Sequence, residues 1–279
     1  MRRMRITVVL SAMAAVLAVL ATAATAATII DDDGGHKLRG TKDSDTINAA
    51  GGNDRVLAYA GDDTIDAGSG RDRVRAGLGN DIVTGGLGRD VIHAGGGNDQ
   101  VDAGPGFDRV FGAAGDDTIN GGPHGDRLFG GFGNDTVNGD EGRDRMSGGR
   151  GDDVVHGGDG NDRIFANQGV DQIFGDAGND QLWALARADV DTSAGPDTTA
   201  DTVHGGDGND TIHTRDGEAD KIDCGPGNDR ALLDQQDVIV DAAPGNPNGS
   251  CEVVVRADPQ PRDNNAENSQ QSAADGDQH

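Results

Sequence analysis

From Ile47 and Val56 to Ile173 and Leu182, a large aliphatic residue returns every nine positions. Two residues before each stands an aspartate, from Asp45 to Asp180, in sixteen consecutive copies without a slip. Two residues before the aspartate stands glycine in fourteen of the sixteen, Asp43 and His124 being the exceptions. Nine does not fit the 3.6-residue helical period, but it fits a six-residue turn followed by a three-residue strand. The glycines supply the positive φ angles of a tight turn. Strand alternation then points one residue inward, the aliphatic one two places after Asp, and its neighbours outward. Two nonapeptides close one coil with two turns and two strands. The predicted fold is all-β, a parallel β-roll (β-solenoid) of stacked nine-residue turn–strand repeats.

The ends carry different patterns. Arg2, Arg3 and Arg5 precede the uncharged run "ITVVLSAMAAVLAVLA" and the small-residue string "ATAATAA". This is the order of a secretory leader, expected over residues 1–27 with cleavage near Ala26 or Ala27 by the general bacterial secretory route. Residues 28–39 read as a short lead, 40–182 as the continuous roll, and 183–200 as a degenerate repeat around Asp189 with a surface insertion. Residues 201–256 read as the last repeats and a cap, and 257–279 as a polar, disordered tail.

Composition alone would argue against folding. The chain has 47 glycines, 3% aromatics and a net charge of −26. The leader contains three of the arginines and no acid, so the mature charge is −29. Such a charge repels nucleic acid and anionic membranes. The periodicity is what speaks for a fold, since disorder needs no period. Cys224 and Cys251, the only cysteines, are expected to form a disulfide in an exported chain, joining the last repeat to "CEVVV".

The roll so far described lacks something. Two apolar side chains per eighteen residues bury too little surface to offset the ordering of the backbone. Stacked turns also bring aspartates into rows of like charge. A divalent cation held between adjacent turns by Asp oxygens and glycine carbonyls removes both deficits, and an all-oxygen site with flexible geometry favours Ca²⁺.

The turns "GGLGRD", "GGFGND", "GGRGDD" and twice "GGDGND" match Gly-Gly-x-Gly-x-Asp-x-U-x, where U is large and aliphatic. The chain resembles the RTX, or haemolysin-type, calcium-binding repeat proteins, a pattern that general tables of repeats include. The likeness covers residues 40–182 and resumes over roughly 201–230. It implies a parallel β-roll in which turn carbonyls and the sixth-position Asp bind several Ca²⁺ ions. The ligands carried over are Asp90, Asp135, Asp153, Asp162 and Asp210, whose turns have all three glycines. Next come Asp72, Asp81, Asp99, Asp108 and Asp229, which lack only the first glycine, then Asp54, Asp63, Asp117, Asp144 and Asp180. The accompanying turn glycines are Gly86, Gly88, Gly131, Gly133, Gly149, Gly151, Gly158, Gly160, Gly206 and Gly208. The turns "GTKDSD", "AYAGDD", "GGPHGD" and "ANQGVD" depart from the pattern.

No catalytic centre is expected. There is no His-Glu-x-x-His zinc helix and no Gly-x-Ser-x-Gly elbow. His93, His156, His204 and His213 fall three places after an Asp and read as solvated strand exteriors. The protein is therefore expected to be a secreted monomer that binds calcium and catalyses nothing. The two sheets nevertheless differ. After alternate aspartates the even set reads Arg55, Arg73, Val91, Arg109, Arg127, Arg145 and Arg163, edged by Phe111, Phe129, Phe165 and Trp183. The odd set is rich in threonine, with Thr46, Thr64, Thr118 and Thr136. The alternative function is an extracellular interaction or adhesion module. It would bind a wall polymer, glycan or protein through Arg109, Arg127, Arg145 and Arg163, with calcium serving only the fold.

Overall fold

The computed structural model describes residues 26–184, 200–243 and 245–257. The expected leader up to residue 25, the repeat around Asp189 and the tail from residue 258 lie outside the described residues. The rest forms two units, one ending at Phe132 and the other beginning at Gly133. All regular structure among the described residues is β. None of their segments is a helix long and apolar enough to cross a membrane.

In the first unit, one sheet stacks Thr28–Ile30, Thr46–Asn48, Thr64–Asp66, Ile82–Thr84, Gln100–Asp102 and Thr118–Asn120 in chain order. A second stacks Lys37–Arg39, Arg55–Ala60, Arg73–Leu78, Val91–Gly96, Arg109–Ala114 and Arg127–Phe132. All pairs are parallel, and each residue lies beside the one eighteen places on, as in Ile47 with Ile65 and Val56 with Val74. The expected short lead over 28–39 is part of this stack. Thr28–Ile30 pairs with Thr46–Asn48, and Lys37–Arg39 pairs with the first three residues of Arg55–Ala60.

The second unit repeats the arrangement. Its first sheet stacks Thr136–Asn138, Val154–His156, Gln172–Phe174, Thr202–His204, Lys221–Asp223 and Val238–Ile239. Its second stacks Arg145–Arg150, Arg163–Gln168, Gln181–Trp183, Thr211–Thr214, Arg230–Leu233 and Val253–Arg256. Gln172–Phe174 pairs directly with Thr202–His204, and Gln181–Trp183 with Thr211–Thr214. The rows on either side of residues 185–199 are thus immediate neighbours.

Two details differ from a uniform nonapeptide. The strands of the second sheet are six residues long in most coils, because their pairing runs on into the following turn, whereas those of the first keep three, except the two-residue Val238–Ile239. The turn after the first sheet instead makes separate two-residue ladders, such as Gly51–Gly52, Ser69–Gly70 and Leu87–Gly88. The inward side also carries more than the aliphatic residue. Alternation starts at the aspartate, so Asp, the aliphatic residue and the small residue after next all point inward. In one such set Asp54, Val56 and Ala58 are all buried. The core is consequently a line of Ile, Val and Leu, flanked on one side by alanine or glycine and on the other by carboxylates.

The C-terminal coil is closed by the Cys224–Cys251 disulfide, which spans 27 residues with its Cα atoms 5.2 Å apart. Beside it, Glu252 accepts the Asp229 N–H at 2.6 Å, the place that an aspartate fills in earlier coils. Cys251→Ser should therefore release both a loop constraint, worth about 3 kcal/mol for a loop of this size, and the carboxylate that ends the row. The expected result is a higher calcium concentration at the folding midpoint, read by circular dichroism.

Candidate metal centre

The buried aspartates are the centre of the chemistry. Asp54, Asp63, Asp72, Asp81, Asp90, Asp99, Asp108 and Asp117 of the first unit are buried. So are Asp135, Asp144, Asp153, Asp162, Asp180, Asp210 and Asp229 of the second. Each carboxylate reaches back one coil. Asp63 Oδ1 accepts the Asp45 N–H at 2.6 Å, and Asp90 Oδ1 the Asp72 N–H at 2.8 Å. Asp153 Oδ1 likewise accepts the Asp135 N–H, and Asp180 Oδ1 the Asp162 N–H, both at 2.8 Å. The same bond recurs across the insertion, from the Asp180 N–H to Asp210.

The second oxygen is left over. In Asp63, Asp72, Asp81, Asp90, Asp99 and Asp108, Oδ2 is shielded from solvent and has no hydrogen bond. The same holds for Asp153, Asp162, Asp180, Asp210 and Asp229. A buried carboxylate oxygen without a donor is costly, and its recurrence in both units favours a bound cation there. Titration reflects this cost. Burial, partly opposed by the backbone hydrogen bond and reinforced by neighbouring aspartates, pushes Asp63 and Asp72 up to about 6. The same causes push Asp90 and Asp180 to about 7 and Asp153 to about 8.

Glycine at the first turn position makes the cavity for a ligand. A Cβ on Gly157 would stand 2.9 Å from Asp162 Oδ2 and fall on the Gly175 carbonyl of the next coil. A Cβ on Gly205 would stand 2.8 Å from Asp210 Oδ2 and fall on the Cys224 carbonyl. The missing side chain thus leaves a space where a carboxylate oxygen and a carbonyl oxygen converge. The donors are all oxygen and partly anionic, and the cradle recurs where the turn begins with glycine, as before Asp90, Asp162 and Asp210. Such a set fits a hard divalent cation, Ca²⁺ above the smaller and geometrically stricter Mg²⁺.

Of the turn glycines expected from the pattern, all but Gly160 have positive φ. Gly131 has φ 126°, Gly149 125° and Gly158 87°. The departures from the pattern keep the same backbone with residues that tolerate it less. Tyr59, Ala113, His124 and Asn167 have φ between 84° and 89°. Their aspartates sit in the same rows: the Asp108 N–H donates to Asp126 and the Asp153 N–H to Asp171. These turns are therefore strained copies of the same backbone, and Asp126 and Asp171 stand in the same rows as the aspartates expected from sequence. Asp201, Asp220 and Asp237 continue the first-sheet row.

A second ladder escaped the sequence reading. The fifth turn residue, just before the aspartate, accepts from the coil that follows. The Arg71 N–H donates to Asn53 Oδ1 at 2.8 Å, Asn98 to Asn80 at 2.7 Å, and Asn179 to Asn161 at 2.9 Å. Inner aspartates and outer asparagines therefore lock each coil in opposite directions. The ladder's signal in the sequence is the recurring "GND", in which asparagine precedes the aspartate.

The profile of the RTX calcium-binding nonapeptide repeat matches residues 39–74, 66–101, 75–110, 93–123, 102–137, 120–155, 147–182 and 197–231. The chain belongs to this family. Among curated proteins, none matches it. The RTX repeats account for the buried aspartate rows, the glycine cradles and the left-handed turn residues together.

Outside the turns, the arginine face is a set of in-register rows, Arg109 beside Arg127 and Arg145 beside Arg163. Phe111 and Phe129 stack at 5.1 Å, and the Arg145 guanidinium lies 5.7 Å above the Phe165 ring. Phe165 and Trp183 are buried, however, so the second unit does not present its aromatic edge to a partner. The four histidines are not merely solvated. His93 stacks on Phe111 at 4.6 Å, His156 and His204 stack on either side of Phe174, and His213 stacks on Trp183. Neighbouring coils bring identical strand positions together, which turns any aromatic or imidazole there into a stack.

Proposed function

We infer that this is an exported calcium-binding protein. In this reading the roll folds on binding several Ca²⁺ ions between adjacent turns, and the mature chain acts without a catalytic centre of its own. The observation that carries the reading is the buried Oδ2 without a hydrogen bond on Asp90, Asp153, Asp162, Asp180 and Asp210, each in a turn that begins with glycine. A secreted location agrees with it. Extracellular calcium modules bind in the range of about 10⁻⁴–10⁻³ M, so the chain would stay unfolded inside the cell and fold outside, where binding and folding are linked. Mass spectrometry under non-denaturing conditions tests it: several Ca²⁺ per folded chain, removed together by a chelator, are expected. A folded chain that holds none in millimolar calcium contradicts the reading.

The arginine rows favour a second reading, in which the even face also binds an anionic or glycan partner. Arg→Ser at Arg109, Arg127, Arg145 and Arg163 takes the mature charge from −29 to −33 and leaves every Asp and Gly of the turns in place. If the face is a binding stripe, attachment to cell-wall preparations should collapse while calcium-driven folding survives. If the arginines only balance acidic turns, attachment is unchanged and calcium affinity stays level or rises slightly. Thr→Ala at Thr46, Thr64, Thr118 and Thr136 is the matched control on the other sheet.

A further inference from the structure

The first turn of the roll exchanges the residue types that the nonapeptides up to Asp180 use. It runs "DDDGGH", with Asp31 at the first position, where those turns carry glycine or alanine, and His36 at the sixth, where they carry aspartate. His36 nevertheless occupies the ladder place, since its N–H donates to Asp54 Oδ1 at 2.6 Å, eighteen residues on. In later turns the space beside the first position faces the sixth-position carboxylate. Here that space is filled from the first position, so the Asp31 side chain and the His36 ring meet.

They meet closely. Asp31 Oδ2 lies 2.8 Å from His36 Nδ1, with the Asp31 side chain only 3% exposed. Both atoms are shielded from solvent, and neither has a hydrogen bond. The two form an ion pair when the ring is protonated; with Nδ1 unprotonated, both offer lone pairs that one cation can share. A third ligand stands by: Asp32 Oδ1 is 3.8 Å from His36 Nδ1, and one atom from each of the three residues lies within 4.8 Å of the others. Asp31 Oδ1 accepts the Asp32 N–H at 2.9 Å, which fixes the carboxylate's orientation. Gly34 leaves the room required, because a Cβ there would stand 2.8 Å from His36 Cε1 and 3.2 Å from Asp32 Oδ1.

We propose that this turn is a site for a divalent transition ion, with Zn²⁺ as its natural occupant, held by His36 Nδ1, Asp31 Oδ2 and Asp32 Oδ1. Imidazole nitrogen selects zinc over calcium, which takes oxygen ligands almost alone. Ligands at zinc bond lengths of 2.0–2.1 Å in a tetrahedron stand about 3.3 Å apart, between the two separations seen here. The exposed side of Asp32 leaves the fourth position open to water. The calcium rows would then begin at a coil pinned by a different metal, which calcium at extracellular concentration does not displace.

The test is a zinc titration of the full mature chain in saturating calcium, by calorimetry, with Co²⁺ substitution to report coordination. One tight site per chain is expected, with the visible absorption bands of tetrahedral cobalt. His36→Asp installs the residue that later coils of the same row carry, so the calcium-loaded fold is kept and should give an unchanged circular dichroism spectrum. It should weaken zinc binding at least tenfold and abolish the cobalt bands, as should Asp31→Asn. His156→Ala, which removes an imidazole beside Asp176 in the other unit, should change neither. Zinc affinity equal in wild type and His36→Asp, or no zinc site in the wild-type chain, overturns the proposal.

Discussion

Asp153→Asn is expected to move metal-free stability and calcium dependence in opposite directions. The amide keeps an oxygen where Oδ1 accepts the Asp135 N–H at 2.8 Å, so the ladder survives. What it removes is the charge on Oδ2, which is buried without a hydrogen bond and whose burial pushes the carboxyl up to about 8. Without calcium, the variant should be more structured than the wild type at pH 8 and above, because a neutral group replaces a buried anion. In calcium it should bind at least one ion fewer and need several-fold more calcium at the midpoint, since ligand charge sets affinity in such sites. Asp153→Ala separates the two roles of the side chain. It also leaves the Asp135 N–H buried and unpaired, a loss of about 1–3 kcal/mol, so it should fold less well in both conditions. Calcium titrations of the three proteins, with and without chelator, read all of this. An Asn variant that binds as much calcium as the wild type with the same midpoint, with only Ala impaired, would mean that the ladder bond, and not a cation, is the purpose of the aspartate.

Acid should partly replace calcium. The repeat aspartates titrate near 3.8 when unfolded, but burial raises them in the roll, Asp72 and Asp99 to about 6, Asp81 to about 7 and Asp153 to about 8. The folded state therefore binds more protons than the unfolded state between those values, and its stability falls as pH rises through them. For a metal-free chain this stability is fully present below about pH 4 and lost on the way to pH 6–8. Acidifying a chelated sample from pH 8 towards pH 4 should then increase β-sheet signal and reduce the hydrodynamic radius. With calcium present the same acidification should raise the calcium midpoint, because protons and Ca²⁺ compete for Oδ2. A chelated chain whose structure declines steadily on acidification would show that the carboxylates are not buried unpaired.

Much of this was legible in the residues. The nine-residue ruler sets coil size, parallel pairing and the Ile47–Ile65 register, because each coil must repeat the last for the strands to pair. Where the ruler fails, so does the reading. Residues 28–39 look like a lead because His36 and Asp31 replace the two letters that mark a turn, yet their backbone enters both sheets. At His124 and Asn167 the glycine is missing but its left-handed conformation is not, since stacking on neighbouring coils imposes it. The inward aim of the aspartates was not read, because a turn residue was assumed where strand alternation already begins. The asparagine ladder and the ring stacks come from residues one coil apart, eighteen places in most of the roll and thirty across residues 185–199. Two repeats to a coil bring these positions together, but the nine-residue pattern leaves the outward letters unmarked.

The central claim is that the roll stands on its cations. Calcium titration of the mature chain, followed by far-ultraviolet circular dichroism and hydrodynamic radius, tests it most directly. In chelator near neutral pH the chain, with its charge of −29 and a core of two aliphatic side chains per coil, should be expanded and lack sheet signal. Added calcium should restore a β-sheet spectrum and a compact radius in one cooperative transition, as expected when each coil is stabilised by its neighbours. A chelated chain at that pH with the full β-sheet spectrum and the radius of the calcium-loaded protein would contradict the account.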